Sequence, residues 1–159
     1  MNPDVRSMLT ETQLGVLRGS YRRGVMHMIA TKIVAAPYPP ASGLVDFAAE
    51  RFYNEAPPIL THADRERCLI ALFASGRRPA FAMAVHVYWG LMEGLTVDEI
   101  AEIISLSALY AGLDVLTDNN RTLGDTLKFL AKTADAGGEA AQSQVVLPAL
   151  VAAFRPSAG

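Results

Sequence analysis

Apolar residues in this chain recur every three or four positions, and nowhere alternate in the period of two that a half-buried strand needs. Leu14, Leu17, Tyr21, Val25, Met28 and Ile29 follow the pattern, and so do Ile100, Ile103 and Ile104. Isoleucine and valine fall inside the helical spacing. The chain is therefore expected to be all-α.

Punctuation residues divide it into helices. Thr10 and Gln13 are spaced as a capping box, and so are Thr96 and Glu99. The prolines at 37, 39 and 40 close the region of the first helix, and Pro57 and Pro58 close a second helical stretch at 41–53. Thr61 and Asp64 can cap a helix running to about Ser75, with Gly76 as its stop. The next helix starts near Pro79 and ends at Gly94. A last long helix is expected at 115–133, led by Asp114 as a cap. The small polar stretch 136–144 reads as a linker. The apolar extension 145–154 contains Pro148, and its spacing does not place it; on a neighbouring copy it could pack, and alone it would be a loose end.

One domain over residues 1–159 suits the length. Charged residues make up only 19% of the chain and apolar ones 51%, more buried surface than a small monomer needs, so a homo-oligomer is expected. Net charge is −2 and no basic stripe interleaved with aromatics occurs, which argues against nucleic acid as a partner. Arg22–Arg23 and Arg77–Arg78 read as surface pairs. No apolar run approaches 18 residues, and the first residues lack a basic-then-apolar leader pattern, so a membrane is not expected as a partner. Cys68 is the only cysteine; it excludes an internal disulfide, fits a reducing, cytoplasmic compartment, and reads as a small core residue.

Three places can carry chemistry. His86 shares a helix face with Met83, Trp89, Gly90 and Glu93. In apolar surroundings its imidazole loses basicity and can act as general acid or base, or be a satisfied core histidine. Gly90, in mid-helix, marks a close approach by another helix or room for a ligand. The second place is Tyr110-Ala111-Gly112-Leu113-Asp114, where Asp114 is a helix cap or a carboxylate at a pocket mouth, with Asp118 and Arg121 a turn further on. The third is Asp64-Arg65-Glu66-Arg67, a charged helix start that is either solvated or turns one residue inward, since Glu66 aligns with the apolar Ile70 and Phe73, and Arg65 with Leu69 and Leu72. His27, His62 and His86 are too scattered for an HxxxH metal pair, so no metal or other cofactor is expected.

The segments DRERCLIALFA, RRPAFAMAVHVYWGLMEGLTVDEI and ALYAGL, within 64–127, resemble the carboxymuconolactone decarboxylase family, whose superfamily includes the AhpD-like alkylhydroperoxidases. The matching points are Arg65-Glu66, His86, Gly94-Leu95-Thr96, Glu99-Ile100 and Tyr110-Ala111-Gly112. The resemblance implies an all-helical fold built around a helical hairpin, assembled as a trimer or hexamer. Two departures bear on chemistry. The peroxidase branch carries Cys-x-x-Cys-x-x-x-His, and its cysteine positions fall here on Pro79 and Ala82, which excludes thiol peroxidase chemistry. The decarboxylase branch has a glutamate four residues before the histidine and a proline after Tyr-Ala-Gly-x; Ala82 and Asp114 stand there.

The resulting expectation is a cofactor-free lyase or isomerase acting on a small cyclic or lactone-type metabolite, acidic or hydrophobic. His86 transfers the proton, Glu66 or Asp114 orients it, Arg65 or Arg78 holds a carboxylate, Tyr110 donates a hydrogen bond, and Tyr88 and Trp89 shape the pocket. The alternative is a non-catalytic helical oligomer that binds a small ligand or a partner protein.

Overall fold

The computed structural model describes residues 4–23, 47, 59–76 and 78–155. Among them are six α-helices and no strand: α1 (Glu11–Ser20), α2 (His62–Ser75), α3 (Ala80–Met92), α4 (Val97–Ala111), α5 (Leu113–Ala136) and α6 (Ser143–Phe154). His27, Arg77, the end of the first apolar pattern, the prolines at 37–40, 57 and 58, and all of the 41–53 stretch but Phe47 lie outside the described residues.

The helix starts follow the capping residues. Thr10 accepts from the Gln13 amide at 3.2 Å, and the Gln13 side chain accepts from the Thr10 amide at 2.9 Å. Thr96 and Glu99 repeat that reciprocal pair before α4. Each box satisfies two amides that a helix start otherwise leaves without a partner. Gly94 turns the chain from α3 to α4 at φ 104°, a conformation that a side chain disfavours.

Helix α3 is the centre of the molecule. Met83, Ala84, Val87, Tyr88, Gly90 and Leu91 are buried, so apolar residues cover it on every side, as a helix enclosed by others requires. It packs on α2, α5 and α6. Core leucines and isoleucines come from all the surrounding helices: Leu17, Ile70, Ile104, Leu127 and Leu150 are wholly buried.

Three elements differ from the reading of the sequence. Residues 145–154 are no loose end: they lie in α6, whose Val146, Leu147, Leu150 and Val151 are buried against the core of the same chain. Pro148 is tolerated because it sits on the exposed face. The 136–144 stretch is no polar linker either, for Gly138–Ala141 form a 3₁₀ turn with Ala141 wholly buried. Cys68 is exposed, not a core residue, because two residues advance a helix by ~200° and carry it away from the face that buries Glu66.

Gly90 marks a close approach between α3 and its surroundings. A Cβ there would lie 3.2 Å from both Ile70 Cδ1 and Leu95 Cδ2, and 3.8 Å from Glu66 Cβ. The two closest atoms are the ends of flexible side chains. Gly90→Ala is therefore expected to change stability by less than about 1 kcal/mol, the crowding offset by better helix propensity. Gly90→Leu is expected to lower it by about 1–3 kcal/mol or more through overpacking, read from urea unfolding of the two variants.

Candidate functional site

Helices α2 and α3 meet in apolar surroundings, yet the contact carries two ionisable side chains. Glu66 is 1% exposed, one turn before Ile70, on the face of α2 that turns inward. His86 comes from α3, and its Nδ1 lies 2.8 Å from Glu66 Oε2. The imidazole side chain is 12% exposed. Phe73 stacks on the ring with centroids 4.6 Å apart, and Trp89 meets it edge-on at 5.0 Å. A carboxylate only accepts, so in this bond Nδ1 carries the proton and Nε2 of the neutral ring carries the lone pair. A group held this way can exchange a proton at Nε2 while the carboxylate fixes its orientation.

Arg65, the neighbour of Glu66, is also buried, and its Nη1 lies 3.2 Å from His62 Nδ1. A guanidinium only donates, so His62 accepts at Nδ1, the opposite arrangement to His86. Burial, and then the Arg23 charge, lower the His62 pKa below the ordinary histidine range. Both favour the neutral ring that this bond needs.

A second polar group closes this end of α3. Tyr21 donates to Glu93 Oε1 at 2.8 Å, and Arg23 donates to both Glu93 carboxylate oxygens. The Glu93 side chain is only 7% exposed. Burial alone would raise its pKa, but the hydrogen bonds from Arg23 and Tyr21 hold it below the usual value. Burial drives the Tyr21 phenol well above its ordinary pKa, and the hydrogen bond to Glu93 adds to the effect. Arg18 donates from Nε to the Leu91 carbonyl at 3.0 Å, which supplies an acceptor at the C-terminus of α3 with a charged donor.

The candidates named from the sequence separate in space. Glu66, His86 and Trp89 come together, with Arg65 adjoining on α2. Tyr88 is on another face of α3, wholly buried, donating to Ser143 Oγ at 3.2 Å. Tyr110 is 89% exposed at the end of α4. Asp114 is exposed and does not cap: Gly112, with φ 111°, is the residue before α5, and no side chain caps that helix. Arg78 and Asp114 line a surface cavity of about 380 Å³ with Asp118, Arg121, Asp125 and Phe154, and neither His86 nor Glu66 reaches it. Asp118 and Arg121 form an exposed ion pair at 3.5 Å. Among the described residues, no group of three His, Cys, Asp or Glu is placed to hold a metal. No helix described is long and apolar enough to cross a membrane.

His62, Tyr21, Arg23 and Glu93 were not singled out by the sequence. One signal was present for His62: it stands four residues before Glu66, on the same face of one helix. Glu93 had a weaker one, its alignment with His86. No family model, curated protein or solved structure matches the chain.

The Glu93 pair has a signed pH dependence. Its folded pKa is depressed, so its stabilisation is complete above the ordinary value of 4.5 and is lost as pH falls through the folded value. Urea unfolding between pH 3 and 7 is expected to show stability rising with pH in that acid window. In Glu93→Gln the rise flattens, and stability at pH 7 drops by about 1–3 kcal/mol as the Tyr21 hydroxyl and the Arg23 guanidinium lose their charged acceptor.

Proposed function

We propose that this chain is a cofactor-independent lyase or isomerase, a divergent member of the carboxymuconolactone decarboxylase family with an AhpD-like fold. The observation that carries the reading is the buried His86–Glu66 pair, 2.8 Å apart and flanked by two aromatic rings. A purely structural histidine is most simply satisfied by backbone. Here a carboxylate is kept at 1% exposure, and a buried charge of that kind is costly unless its partner requires it.

In this reading His86 is the proton-transfer residue and Glu66 the group that orients it. The neutral ring takes a proton from one carbon of the substrate at Nε2 and returns it to another, which isomerises the substrate. Alternatively, the protonated ring supplies a proton to the carbon from which carbon dioxide has left, after the electron pair of the broken bond has moved into a conjugated carbonyl. Arg65 holds a carboxylate of the substrate, and Phe73 and Trp89 form the apolar wall. The substrate class is a small cyclic or lactone-type metabolite, acidic or hydrophobic. Within one chain, Asp114 and Arg78 line a different cavity and Tyr110 is exposed, so this reading rests on His86, Glu66 and Arg65.

The same reading makes the protein a homo-oligomer, a trimer or hexamer, acting in the cytoplasm on a small-molecule substrate. Its support is the low charge fraction and the single unpaired cysteine. The chemistry can be tested by incubating the protein in D₂O with a panel of cyclic carboxylic acids and lactones. Deuterium incorporation at carbon and carbon dioxide release are followed together. Turnover of at least one member is expected, reduced about 10²- to 10⁴-fold in His86→Gln with the fold intact by circular dichroism. Unchanged turnover in that variant removes His86 from the chemistry.

A further inference from the structure

Helix α4 buries Ile100, Ile104, Ser107 and Ala108, and presents a different kind of surface on its other side. Leu106, Leu109 and Tyr110 are 57, 73 and 89% exposed, and Leu113, just past Gly112, is 71% exposed. Spacings of three and four put the α4 residues on one side of the helix. No charged residue falls between 103 and 113; Glu102 precedes the strip and Asp114 follows it.

A tyrosine side chain presents about 150–250 Å² and a leucine somewhat less, so at these exposures the four leave a largely apolar surface of roughly 400–500 Å². The largest apolar patch of an ordinary monomer is about 300–600 Å². A standard interface buries about 800 Å² on each partner. Four neighbouring residues therefore supply about half of what one side of a stable interface needs. A charged partner would gain nothing from a strip without charge. A second copy of this chain brings an equally uncharged strip, and its net charge of −2 meets no further repulsion there.

We infer that the strip Leu106-Leu109-Tyr110-Leu113 is the contact through which copies of this chain associate. The inference rests on the homo-oligomer proposed above and names its face. It takes nothing from the chemistry of His86, so a mass measurement and a turnover measurement fail independently.

The test is light scattering after size exclusion across about 1–100 µM protein, on the wild type and on Leu106→Glu/Leu109→Glu. Both positions are exposed, and circular dichroism and urea unfolding verify that the variant folds. The wild type is expected to run at a multiple of the 17.1 kDa chain mass, and the double variant at that mass. As a control, Leu72→Glu, an exposed leucine on α2, should leave the multiple unchanged. A wild type that stays monomeric at 100 µM overturns the inference. So does a double variant that keeps the wild-type mass, or a Leu72→Glu variant that loses the multiple equally.

Discussion

The close approach of α2 and α3 beside Gly90 is the constraint on which the buried pair depends. Ile70 and Leu95 already fill the space around it, and Glu66 Cβ lies just beyond. With the helices at that separation a short carboxylate arm spans from α2 to an imidazole on α3. A wider gap would leave Glu66 buried without its partner, and an unpaired buried carboxylate costs several kcal/mol. The close packing brings the two side chains within reach, and the bond makes the buried charge tolerable.

Much of this was readable from the chain alone. Thr10 with Gln13, Thr96 with Glu99, Gly94 and Gly112 mark their boundaries because capping and left-handed turns are local chemistry. The phase of Glu66 with Ile70, and of Arg65 with Leu69, marked one of the two as a residue at the edge of the buried region, and both are buried. Other features depend on tertiary packing and leave no local mark. The spacing around Pro148 does not place its segment, yet the apolar face of Val146, Leu147, Leu150 and Val151 closes α6 over the core. Arg23 reads as half of a surface pair until Glu93 is brought beside it from 70 positions away. Asp114 reads as a helix cap, whereas the positive φ at Gly112 sets the turn without it. Cys68 shows the opposite error, a residue of apolar company whose angle on the helix sends it outward.

The electrostatics around His86 follow from two opposite donor arrangements within little more than one helical turn. Glu66 accepts from one imidazole, and Arg65 donates to another. Arg65 and Arg23 bring two positive charges, and Glu66 and Glu93 two negative ones. With both rings neutral, the four charges cancel. A proton added to His62 would meet the Arg23 and Arg65 charges, which add to burial in favouring its neutral form. Charge balance of this kind is how a partly buried polar cluster remains compatible with an apolar core.

Ser143 has a consequence for the dynamics of the whole chain. Its hydroxyl oxygen accepts from the amide of Arg22, just past the end of α1, and from Tyr88 at the centre, while its own backbone begins α6. The first helix, the central helix and the last one are thereby joined at a single atom. Neither terminal helix can peel away without exposing α3 or orphaning its tyrosine. Opening of either end therefore also breaks a hydrogen bond of Ser143. Local opening at either end is thus coupled to the packing around α3, the helix that carries His86.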